Sequence, residues 1–232
     1  MSNPNEEKPY EKLKNLEKAL EIAKNSGSIS EIFHFLLKLG ELCYEIKANE
    51  LGLKYVQEAI ELSKKSSASQ NLHEFYKYLG DFNFELGLLD EAYEAYNSSI
   101  KKATKKKFYG ILAENHFKLG RVKHLQDKFK QAINHFKKAE KIYEEMGLHA
   151  EQAKIYNQIG LTYINKIPLN DAYGVDKLIT IDYNLGSSSF GKAKKNFKKA
   201  KMILEENNLV ESESVLYKSI HSNLKTRFKD FK

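Results

Sequence analysis

Residues 116–143 read HFKLGRVKHLQDKFKQAINHFKKAEKIY, and this stretch decides the fold. Its second half places Phe129, Ala132, Ile133, Phe136, Ala139, Ile142 and Tyr143 at helical spacing, an apolar stripe along one face. Its first half carries Leu119-Gly120. Small residues let the backbones of two antiparallel helices approach. Large apolar residues one turn away fill the gaps beside them.

The same arrangement recurs along the chain. Leu39-Gly40, Leu79-Gly80, Leu119-Gly120 and Ile159-Gly160 place a glycine every forty residues. Four residues before each glycine stand Leu36, Tyr76, His116 and Tyr156. Twelve after the first three come Gly52, Ala92 and Ala132. Sixteen after come Val56, Tyr96 and Phe136, and nineteen after come Ala59, Ser99 and Ala139. Repetition at a fixed period is the signature of stacked supersecondary units.

This pattern resembles the tetratricopeptide repeat: an aromatic residue, Leu-Gly, a tyrosine three residues on, then alanine and phenylalanine four apart. The match runs along nearly the whole chain. It departs in period, forty in place of 34, as in long-helix variants of the family. It departs also in the tyrosine, present at Tyr163 but replaced by Cys43, Asn83 and Lys123 elsewhere, and in lacking the closing proline. The resemblance implies an all-α solenoid of antiparallel helix pairs, a right-handed superhelix of about nine helices. It also implies a binding function, with the first helix of each repeat lining a concave groove.

The register extends to both ends. Ala19 and Leu16 stand forty residues before Ala59 and Val56, so residues 9–25 read as a capping second helix behind a disordered 1–8. Repeats follow at 29–66, 69–107, 108–146 and 149–206. The fourth is interrupted: its small–aromatic–small set returns as Ala193, Phe197 and Ala200, displaced by 21 residues. The insertion spans about 167–187. It holds the turn residues Pro168, Gly174 and Gly186 and a β-leaning run from Lys177 to Tyr183. Tyr217, Ile220, His221 and Leu224 then fall in register, which predicts a closing helix over 209–229.

Composition narrows the function. The chain has 232 residues, 41% of them hydrophobic, with three prolines and none between Pro9 and Pro168. That suits long helices, because proline removes a donor and clashes with the preceding turn. The single cysteine, Cys43, has no disulfide partner and sits at an interior register position, as a core residue does. The N-terminus lacks a signal-peptide core, and no apolar run is long enough to span a bilayer, so a cytoplasmic protein is expected. The phosphate-binding, nucleophile-elbow and zinc-protease motifs are missing, and the seven histidines are scattered. No catalytic, cofactor or metal site is expected, and no small-molecule substrate.

Helix geometry selects the face opposite the core stripe, at six before, two before, one after and five after each glycine. These residues are His34, Lys38, Glu41 and Glu45, then Glu74, Tyr78, Asp81 and Glu85. In the last two repeats they are Glu114, Lys118, Arg121 and Leu125, then Lys154, Gln158, Leu161 and Asn165. The first two repeats are acidic and the last two mildly basic, within a chain of net charge +7. A protein or peptide partner whose basic segment meets repeats one and two is the expectation. Glu41 and Asp81 would repel the C-terminal carboxylate that some family members clamp.

Two alternatives remain open on the residues alone. Lysines crowd the second helices: Lys101, Lys102, Lys105, Lys106 and Lys107 end one, and Lys192, Lys194, Lys195, Lys198, Lys199 and Lys201 cover another. They suit nucleic acid or an anionic membrane surface, or simply keep the chain soluble. A peptide-sensing regulator would use the same fold.

Overall fold

A computed structural model describes residues 4–66, 68, 71–165 and 187–227. The described residues form ten helices. A cap, α1 (Pro4–Ser26), precedes the pairs α2 (Ile29–Glu45) with α3 (Asn49–Ser66) and α4 (Leu72–Glu85) with α5 (Leu89–Lys106). Then come α6 (Tyr109–Leu125) with α7 (Phe129–Glu145), α8 (His149–Asn165) with α9 (Ser187–Glu206), and the closing α10 (Ser214–Arg227). Among the described residues a cap, four pairs and a closing helix all form, where about nine helices are expected.

Two boundaries differ from expectation. Helix α1 begins at Pro4, inside the segment 1–8 expected to be disordered. Proline suits a first helical turn, where its missing N–H leaves no helix hydrogen bond unmade. At the other end, residues 210–213 form turns and α10 starts only at Ser214. The insertion at about 167–187 lies almost entirely outside the described residues, and so does its β-leaning run.

The chain divides into two compact units, residues 1–115 and 116–232. In the first, α1 packs on α2, α2 on α3, α3 on α4 and α4 on α5, while the first helices α2 and α4 also touch. Phe33, Leu36, Leu39, Cys43, Val56, Ala59, Phe75 and Phe82 are buried there, with the Phe33 and Phe75 rings 5.7 Å apart. In the second, α7 packs on α8, α8 on α9 and α9 on α10. Its core includes Leu119, Phe136, Ala139, Ile155, Phe197, Leu204 and Ile220.

The glycine register explains how each pair closes. A Cβ built on Gly80 would stand 2.6 Å from the Tyr96 ring, and one on Gly120 2.4 Å from Phe136. One on Gly160 would stand 2.8 Å from Phe197, and one on Gly40 3.2 Å from Val56. Glycine within a helix costs about 1 kcal/mol relative to alanine. Burying the opposed side chain returns roughly 1.5–3 kcal/mol. Neighbouring repeats use the same device, since a Cβ on Gly52 would stand 2.1 Å from the Phe82 ring.

The turns inside repeats one to three share one geometry. The residue seven after each glycine, Lys47, Gly87 or Asp127, takes a left-handed conformation. The next amide then bonds back to a carbonyl five residues earlier: Ala48 to Cys43, Leu88 to Asn83 and Lys128 to Lys123, each at 2.8 Å. This closure satisfies helix-end carbonyls and reverses the chain in few residues.

Candidate peptide-binding surface

In the first unit the residues chosen from the sequence differ in exposure. His34, Lys38, Glu45 and Glu85 are exposed, while Glu41, Glu74, Tyr78 and Glu114 are half-buried. Lys38 donates to Glu41 at 3.2 Å. Burial, and after it the charge of Glu41, raises the Glu74 carboxyl above its ordinary range. The nearest imidazole, His73, lies 3.7 Å from Glu74. It stacks on Phe108 at 4.4 Å, and burial lowers its pKa, so at neutral pH it gives Glu74 no counter-charge.

Asp81 corrects the expectation. It is 1% exposed, not on the open face. The Tyr96 hydroxyl donates to its carboxylate at 2.8 Å, and the Lys77 ammonium lies 3.6 Å away. The cause is local. Tyr96 lies flat against Gly80, and its hydroxyl reaches just past the glycine to the next residue. The corresponding rings on Gly120 and Gly160 belong to Phe136 and Phe197, with no hydroxyl, beside Arg121 and Leu161. A buried tyrosine needs a hydrogen-bond partner, so the tyrosine in place of phenylalanine was the available signal.

Sequence reasoning also missed Lys77 and Tyr44. Lys77 bridges Asp81 and Glu114, at 3.6 and 3.4 Å, and its ammonium lies 4.1 Å from the centre of the Tyr78 ring. The opposing charges of Glu114 and Asp81 outweigh burial and raise its pKa. Tyr44, on α2, sets its ring edge-on to Tyr78 at 6.0 Å and to Phe82 at 6.1 Å. Burial pushes the Tyr78 hydroxyl up to about 12.

The second unit carries the remaining residues. Lys118, Arg121, Lys154, Gln158 and Leu161 are half-buried, whereas Leu125 and Asn165 are exposed. Lys154 pairs with Glu151 at 3.2 Å and with Glu213 at 3.6 Å. The Asn165 amide donates to His124 Nε2 at 3.0 Å. His124 Nδ1 lies 2.8 Å from the Thr162 hydroxyl, which itself donates to the Gln158 carbonyl. These partners fix the neutral tautomer with its proton on Nδ1, and burial lowers the His124 pKa accordingly.

Among the described residues no group of three His, Cys, Asp or Glu side chains could hold a metal ion. Among them, too, no helix is long and apolar enough to cross a membrane.

A model of the tetratricopeptide repeat matches residues 71–145, which hold the complete second and third helix pairs. Residues 71–145 are thus tetratricopeptide repeats. Solved structures share the fold of this repeat array over most of its length. A crystal structure of MamA covers 90% of this chain and 98% of its own at 20% identity, with a TM-score of 0.60. BtubC from P. vanneervenii covers 97% and 93% at 13% identity, with a TM-score of 0.58. The Rap conjugation gene regulator of the plasmid pLS20, in complex with the Phr* peptide, covers 90% of this chain and 57% of its own. Its identity is 16% and its TM-score 0.53. No curated protein matches the chain. At these identities the likeness shows the fold.

Proposed function

We propose that this protein is a cytoplasmic adaptor that holds a peptide or helix segment of another protein against its first helices. The observation that carries the reading is the half-buried polar face of α2 and α4. Glu41, Glu74 and Tyr78 are each partly covered and partly open to solvent, as contact groups on a binding face are. Repeat arrays present such surfaces without catalytic chemistry, and the Rap regulator of the same fold is seen with a peptide. The acids of the first unit favour a basic segment there, and Lys118 and Arg121 of the second favour an acidic one.

The test is affinity capture from the native cell with three proteins. Glu41→Lys/Glu85→Lys reverses exposed or half-exposed charge in the first unit, and Lys118→Glu/Arg121→Glu does so in the second. Lys141→Glu, at a side chain 76% exposed on α7, is the control. A partner retained by the control and lost by at least one double variant, with unfolding temperatures unchanged, supports the adaptor. A partner set identical across all three sinks it.

A further inference from the structure

The first unit holds more negative charge around Tyr78 than it neutralises. Glu41, Glu74, Asp81 and Glu114 act on this region, against Lys38 and Lys77. Lys38 is engaged by Glu41, and Lys77 is engaged by Asp81 and Glu114. Among the described residues no lysine or arginine lies within ion-pair distance of Glu74, and its neighbour His73, 3.7 Å away, is buried with a lowered pKa. Maintaining a half-buried carboxylate beside Glu41 costs stability, and a bound cation would return that cost.

Charge alone does not define a site, but the rings do. Tyr44 and Tyr78 come from adjacent first helices, meet edge-on at 6.0 Å and are both only half-buried. Lys77 already sits over the Tyr78 ring at 4.1 Å, so the local geometry accepts a cation on an aromatic face. A planar guanidinium stacks on tyrosine and bonds carboxylates in a fork, whereas an ammonium is a compact, strongly hydrated charge.

We propose that Tyr44, Tyr78, Glu41 and Glu74 form a subsite for one arginine side chain of the bound segment. The inference rests on the adaptor reading and names the chemistry its first unit selects.

The probes are argininamide, lysinamide and norleucinamide, titrated into the full chain carrying ring-labelled tyrosine. Resonances are assigned with Tyr44→Phe and Tyr78→Phe. Argininamide is expected to shift the Tyr44 and Tyr78 rings saturably, at lower concentration than lysinamide, with norleucinamide inert. Glu74→Gln should raise the half-saturating concentration by about tenfold, the loss of one hydrogen bond to a charged group. Glu94→Gln, exposed on α5, should leave it unchanged. Removing one of two like charges should not lower the unfolding temperature, so Glu74→Gln remains a folded test. Equal shifts with norleucinamide, equal affinity for lysinamide, or an unchanged Glu74→Gln curve would each overturn the proposal. If argininamide behaves as expected while no partner is lost in the capture experiment, the subsite stands and the adaptor reading fails. If a partner is lost and argininamide does not bind, the reverse holds.

Discussion

The Phe197 ring lies against Gly160, although the two are 37 positions apart. In the uninterrupted repeats the same contact joins residues sixteen apart, so the pair closes in the same way across 21 extra residues. The contact makes the backbone at Gly160 intolerant of even a methyl group, because Phe197 is fully buried and has no room to retreat. Gly160→Ala is therefore expected to lose about 1–3 kcal/mol, against the roughly 1 kcal/mol that alanine normally gains in a helix. Gly191→Ala is the counter-case. It also lies in a helix, but a Cβ there meets nothing within 4 Å, so it should gain up to about 1 kcal/mol. Urea denaturation of both variants decides the point: a gain at both positions removes the packing account.

Asp81 should behave as a core residue. Tyr96→Phe removes the hydroxyl that donates to it and is expected to cost about 1–3 kcal/mol. Asp81→Lys would bury a cation beside Lys77, at a cost of roughly 3–5 kcal/mol. Thermal unfolding of the two variants measures both effects. An Asp81→Lys protein as stable as the parent contradicts the buried geometry.

Acid should weaken the second unit through His116 and His135. Their Nδ1 atoms lie 3.3 Å apart, a distance that suits one neutral ring donating to another. Burial, and then the neighbouring positive charges, holds both near pKa 4, below the ordinary 6.5. The unfolded chain therefore binds more protons. The stabilisation is complete above pH 6.5 and is lost as pH falls towards 4. Both rings keep some solvent contact, which screens part of the effect. The variant His116→Gln/His135→Gln should show a stability loss over that window smaller by on the order of 1–2 kcal/mol. Unfolding free energies measured across the pH series test this, and parallel curves for parent and variant would contradict it.

Cys43 should be inert in the folded protein. It is fully buried, and burial, with Glu17 adding to it, pushes its thiol up to about 11. A thiol reagent at neutral pH is expected to modify it only as fast as the first unit opens, and at once in denaturant. Rapid labelling of the native protein would place Cys43 outside the core.

The repeat was legible because one glycine and one facing side chain recur at fixed distance. Packing two helices closely permits few residue types at those positions, so the residues report the contact. The same reasoning located Phe197 across the insertion. Individual side chains of the candidate surface were less legible. Glu41, Glu74 and Tyr78, chosen by helix periodicity, are half-buried. Asp81 shares that angle but is drawn inward by the hydroxyl of Tyr96, a residue on another helix. Lys77 was passed over because its angle lies at the margin of the chosen face, where a long side chain can reach acids on two helices.

The sequence by itself determined the helix pairs, their register and the length of the interruption. These depend on the periodicity of apolar residues and on which positions must be small, and both are written in linear order. Only the tertiary structure decided which charges are spent and which remain available. Lys77 pairs with Asp81 and Glu114, while burial, and after it the charge of Lys106, lowers the pKa of His73 beside Glu74. Charge pairing depends on distances of 3–4 Å between side chains from different helices, and on how much water remains around them. Neither quantity has a period along the chain.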